Sequence, residues 1–196
     1  MRKKSGKKAS QAFKKQVQEI EEFLEPENLS SFSDAHVTWA YDYAIIRLYR
    51  DFEDMILNCL VAAINGDTKQ LSDTTGVEFP KHLTDEVCEY IIVGDGYFDF
   101  RGRDGLIKTI KRYLPDEHYL VTIVKKPAYK DALEKLSALR NFATHDSKPS
   151  KKRALQSIDG QRLSASGAWL KNQNRFGKIA ASLNRLADEI HRQAPH

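Results

Sequence analysis

Only two cysteines occur in the 196 residues, Cys59 and Cys88, and neither belongs to a CxxC pair or a Cys/His cluster. That excludes a disulfide framework and the usual structural zinc sites. Both lie in apolar runs, Leu57 to Val61 and Val87 to Ile91, the surroundings of buried, reduced thiols. Prolines number six and glycines ten, several of them gathered mid-chain, so long stretches carry no breaker and favour helices. No apolar run approaches the roughly 20 residues that span a bilayer. The basic start, Met1 to Lys8, lacks the apolar core of a signal peptide, so a cytoplasmic protein with no membrane partner is expected.

An excess of one charge sign is nearly absent too. The net charge is +4 and the pI near 8.9, with Arg2, Lys3, Lys4, Lys7 and Lys8 supplying five of the positive charges. The remainder is close to neutral, which argues against a broad duplex-binding surface. The organisation expected is a flexible basic tail, 1–8, followed by a single helical domain, 9–196. Such a tail either attracts nucleic acid by counterion release or is simply solvated, and both stay open.

What the chain does have is helical periodicity. Hydrophobic residues make up 41% and charged residues 30%, enough for a core lined by amphipathic helices. Phe13, Val17, Ile20 and Phe23 or Leu24 share a face from about Ala9 to Leu24, stopped by Pro26. The longest pattern runs from Asp34 to Asn65, with Ser33 or Asp34 as N-cap and Asn65-Gly66 as a stop. Residues 67–103 form an irregular insert with one helical candidate, Thr84 to Val93, and a turn at Gly94-Asp95-Gly96. Tyr97-Phe98-Asp99-Phe100 alternates but is too short for a sheet. Further helices fit Asp104 to Leu114, Ala128 to His145 and Ala168 to Arg192, with 148–167 reading as a mobile loop. Trp39 and Trp169 are expected in the core or at a dimer contact. The fold class is all-α: a bundle of about five helices with an irregular insert between the long second helix and the later ones.

The best candidate for chemistry is the segment Arg140-Asn141-Phe142-Ala143-Thr144-His145. Asn141 and His145, four apart, share a helix face, with Arg140 one residue round. Arginine offers a permanent fork of donors to a phosphate gaining charge, and histidine moves protons near neutrality. Such a set suits RNA phosphodiester cleavage without a metal. The alternative is structural: Arg140 pairs with Glu134 or Glu53, Asn141 caps a neighbour, and His145 caps its own helix end.

A late helix ending in Arg-Asn-x-x-x-His before a polar turn resembles the HEPN superfamily, and the long insert is similar to the RiboL-PSP-type group of prokaryotic HEPN domains. Arg140, Asn141 and His145 match that family's RNxxxH pattern. The resemblance spans roughly 34–149 and, weakly, the last helix. It implies an acidic partner on the earlier long helix, for which Glu53 is chosen, with Asp51 and Asp54 as alternatives. It also implies an endoribonuclease with no cofactor and no metal, acting in phage defence or a toxin–antitoxin system. The implied products are 2′,3′-cyclic phosphate and 5′-hydroxyl ends. Further implications are an RNA substrate, a homodimer with a composite active site, and a possible antitoxin or regulatory protein partner. Where many family members have glycine after the histidine, this chain has Asp146, and the tyrosine of some toxin relatives is absent. A non-catalytic HEPN-type interaction module is the second function class considered. The run Lys148, Lys151, Lys152 and Arg153 either steers RNA to the motif or forms a solvated loop.

Overall fold

In the computed structural model, which describes residues 4–160 and 162–195, all regular structure is helical and no strand occurs among the described residues. Helix α1 (Gly6–Phe23) buries Phe13, Val17 and Ile20 on the face read from the sequence. It starts earlier than expected, so 6–8, assigned to the basic tail, open the helix, while Met1 to Lys3 lie outside the described residues. The Lys4 amide donates to Asp85 (2.7 Å), which ties the chain start to the insert.

After the single turn α2 (Pro26–Leu29), α3 (Asp34–Gly66) runs 33 residues without interruption. Ser33 caps it, its hydroxyl accepting from the His36 amide (3.3 Å). Ala44, Leu48, Phe52, Met55, Ile56 and Cys59 are all buried along it, so α3 forms the spine of the molecule. The insert is more ordered than the sequence implies. Two helices cross it: α4 (Thr68–Thr75), capped by Asp67, and α5 (Asp85–Val93), capped by Thr84. Val61, Ile64, Leu71 and Cys88 form a small satellite core beneath them.

Helix α6 (Gly102–Ile110) ends four residues before the expected boundary at Leu114, and α7 (Tyr119–Val124) occupies what reads as a loop between Pro115 and Pro127. Its Leu120, Val121, Ile123 and Val124 are fully buried, and that burial outweighs the poor helix propensity of β-branched residues. Helix α8 (Pro127–His145) begins with proline in its first turn and buries Leu133, Leu136 and Leu139 completely. Each such side chain contributes about 1.5–3 kcal/mol, which fixes the helix that carries the motif.

The expected mobile loop after the motif is largely the helix α9 (Lys148–Ser157). Ser147 and Ser150 form a reciprocal capping box, Pro149 sits in the first turn, and Ala154 and Ile158 are buried. The last expected helix divides into α10 (Ser166–Leu170) and α11 (Arg175–Gln193). Gln173 and Asn174, both at positive φ, turn the chain between them. Helix α3 packs against α1, α5, α8 and α10; α8 also contacts α6, α9 and α11. The described chain thus holds eleven helices rather than about five, the extra ones being mostly short.

Candidate active site

Arg140 leaves α8 on the side that faces α3. Its guanidinium carbon lies 4.3 Å from the centroid of the Tyr49 ring. Its Nη1 donates to Asn141 Oδ1 at 2.8 Å. No ion pair of Arg140 with Glu53 or Glu134 is formed, so the structural salt bridge considered as the alternative is absent among the described residues.

Tyr49 is itself held from the insert. Its hydroxyl lies 2.8 Å from Asp99 Oδ1 and 2.7 Å from the Phe100 carbonyl, both within donating distance. The Phe100 ring stacks on it, 5.0 Å between centroids. Residues Tyr97 to Phe100, which carry no regular structure, therefore act as a clamp on the residue beneath Arg140. Burial, with Glu53 and Asp99 adding to it, raises the Tyr49 hydroxyl well above its usual range and keeps it neutral.

Glu53, one turn after Tyr49, completes the cluster. Burial pushes its carboxyl up to about 7; Arg140 opposes that shift and Asp99 adds to it. Its Oε1 is buried with no hydrogen-bond partner. The fallback acids differ sharply. Asp51 is 2% exposed and accepts from Arg47 Nε at 2.9 Å, so it is committed within α3. Asp54 is exposed.

Asn141 is half-buried, and besides meeting Arg140 it lines a cleft bordered by α6, α8 and α9. His145 ends α8 and is exposed, one turn beyond Asn141, with no hydrogen bond or ion pair among the described residues. The chain then turns through Asp146, which lies in the left-handed region (φ 38°, ψ 41°) with its amide donating to the Phe142 carbonyl. A second acid stands close by. Burial raises the Asp42 carboxyl, the Gly167 amide at 2.6 Å opposes the shift, and Asp146 adds to it.

Arg140, Asn141 and Glu53 are thus brought together at the α3–α8 contact, with His145 at the open rim. Tyr49 and Asp99 were not foreseen. Tyr49 was open to inference, since it lies four residues before Glu53 on the same helix face. Nothing local to Asp99 marks it. Of the two tryptophans expected in the core or at a dimer contact, Trp169 is buried and Trp39 is 64% exposed, in ring contact with His36. Among the described residues no three His, Cys, Asp or Glu side chains are grouped to hold a metal ion, and no helix is long and apolar enough to cross a membrane. The chain matches no family model, and no curated protein or solved structure matches it.

Proposed function

We propose that this chain is a HEPN-type endoribonuclease that cleaves RNA by attack of the 2′-hydroxyl on the adjacent phosphate. The observation that carries the reading is the carboxyl of Glu53, held near neutrality beside a fixed guanidinium and an amide at the end of a buried helix. A group titrating near 7 is suited to proton transfer at neutral pH. Glu53 takes the 2′-hydroxyl proton, and the 2′-oxygen attacks phosphorus. Arg140, oriented by Tyr49 and Asn141, balances the growing charge on the phosphate oxygens. His145 gives a proton to the departing 5′-oxygen. The products are a 2′,3′-cyclic phosphate and a 5′-hydroxyl, and the protons balance, one taken and one given.

A homodimer belongs to the same reading. Phe23 of α1 and Trp39 and Tyr43 of α3 are exposed, with Phe23 and Tyr43 in edge contact, so the α1–α3 surface presents several aromatic rings to solvent. Surfaces of that kind are interaction sites. A second copy seated there is the partner this reading calls for, since a symmetric pair would bring two motifs to one two-fold axis. The aromatic surface equally favours the second reading, a non-catalytic interaction module restrained or used by a protein partner. A role in phage defence or a toxin–antitoxin pair follows from the first reading alone.

The test is the chemistry of the ends. Incubating purified protein with a defined single-stranded RNA should give fragments whose 3′ ends carry a cyclic phosphate by mass. Fragments with 3′-hydroxyl and 5′-phosphate ends would contradict 2′-oxygen attack.

A further inference from the structure

Two arginines from distant parts of the sequence converge beside the motif. A cleft of about 370 Å³ between the start of α6, the middle of α8 and the end of α9 is lined by Arg101, Glu134, Asn141, Arg153 and Gln156, among others. Arg101 and Arg153 are both exposed, and neither has an ion pair, hydrogen bond or ring contact among the described residues. Two unpaired guanidinium groups on one cleft repel each other, and an anion between them relieves that repulsion.

The acid in the cleft does not supply that anion. Glu134 Oε1 accepts from the Arg103 amide at 2.9 Å, where it serves the N-terminal turn of α6. Its carboxylate lies so close to Gly102 (φ 62°) that a Cβ there would collide with it. Glu134 is therefore fixed by the backbone of α6, and two arginines outweigh one engaged carboxylate. Lys152 on α9 is exposed and adds to the positive field, while the Lys151 ammonium lies 5.8 Å from the Phe142 ring centre.

Asn141 joins this cleft to the motif. Its Oδ1 is taken by Arg140, which leaves its amide N–H pair with no partner among the described residues. One side chain thus touches both the guanidinium assigned to the scissile phosphate and the lining of the neighbouring cleft.

We propose that this cleft is a phosphate subsite for single-stranded RNA, in which Arg101 and Arg153 grip a backbone phosphate next to the one cleaved. The inference rests on the nuclease reading and adds the path of the strand: over Asn141, between α6 and α9. The arginines bind and position; they do not touch the reacting atoms. Phosphate contacts of this kind carry affinity without reading sequence.

The experiment uses full-length protein carrying His145→Ala, to silence cleavage, and a fluorescein-labelled 12-nucleotide single-stranded RNA followed by anisotropy across a salt series. Adding Arg101→Ala and Arg153→Ala should weaken binding by about tenfold and shallow the slope of log K against log salt by about 0.7, as one lost phosphate contact requires. In the cleaving background the same pair should raise KM with kcat nearly unchanged. Melting should be unaffected, because neither arginine has a partner to lose, and Arg101→Lys with Arg153→Lys should recover part of the affinity. Unchanged affinity and slope in the double alanine variant, with wild type still cutting RNA, overturns the subsite and leaves the nuclease reading standing. Wild type that neither binds nor cuts RNA overturns both.

Discussion

The Arg140 guanidinium carbon lies 4.3 Å from the centre of the Tyr49 ring, so α8 and α3 are tied at the motif by a cation–π contact. That contact leaves the guanidinium donors other than the one given to Asn141 available to a phosphate, whereas a bidentate ion pair would have consumed them. Arg140→Lys keeps the charge and loses the planar fork. Cleavage should fall by roughly 10- to 100-fold, the cost of about 1.4–2.7 kcal/mol of lost phosphate recognition. Tyr49→Phe keeps the ring and loses the hydroxyl's contacts with Asp99, Phe100 and Glu53. It should lower stability by about 1 kcal/mol and spare most of the cleavage rate. Equal activity of Arg140→Lys and wild type would contradict the assignment.

Glu53 sets a pH dependence of stability with a definite sign. Its carboxyl is raised from 4.5 to about 7, so between those values the folded state holds more protons than the unfolded state. Stability contributed by this group is therefore lost as pH rises through that window. Glu53→Gln, which stays neutral, should flatten the Tm profile between pH 5 and pH 8 and raise Tm at pH 8. In cleavage assays it should remove the limb with apparent pKa near 7. A Tm profile identical to wild type would show that Glu53 ionises in the fold as it does in water.

Asp146 occupies a left-handed position, φ 38°, directly after the catalytic candidate His145. Glycine bears no Cβ penalty there, so Asp146→Gly should stabilise the fold by about 0.5–1 kcal/mol, a rise in Tm of roughly 1–4 °C. It also removes a negative charge beside the motif and should lower KM for RNA. A drop in Tm would mean that the Asp146 side chain holds the α8–α9 turn together.

Gly167 is where α10 meets α3. A Cβ there would overlap the Thr38 carbonyl and lie 2.9 Å from the Asp42 nitrogen, while the Gly167 amide donates to Asp42 Oδ1 at 2.6 Å. Gly167→Ala should cost about 1–3 kcal/mol by overpacking and lower Tm by roughly 2–12 °C. An unchanged Tm would show that α10 shifts freely on α3.

How far the sequence foretold this structure depends on how local each signal is. Ser33 and Thr84 are caps written beside the helices they start, and Leu133, Leu136 and Leu139 mark the buried face of α8 by spacing alone. Helix α9 escaped because its capping box pairs Ser147 with another serine rather than with an acid, within a basic run that resembles a solvated loop. The break between α10 and α11 falls at Gln173 and Asn174, with neither proline nor glycine to announce it. Helix α7 is only six residues long, and its order comes from burial contributed by neighbours distant in sequence. At the candidate site, Asn141 lies where helix spacing places it, whereas Glu53 is chosen from the family resemblance among three acids, and burial distinguishes it from Asp54. Asp99 reaches Tyr49 across 50 residues of sequence, a pairing no local pattern encodes.

The central claim is that Arg140 and His145 cut RNA, and the direct measurement compares wild type with Arg140→Ala and His145→Ala on mixed cellular RNA in EDTA, resolved on a denaturing gel. Each preparation is checked for melting temperature and oligomeric state. The account predicts cleavage by wild type that disappears in both variants while fold and assembly persist. Intact RNA in every lane across the salt and pH series, with both variants less stable than wild type, would contradict it and make the motif a structural element of an interaction module.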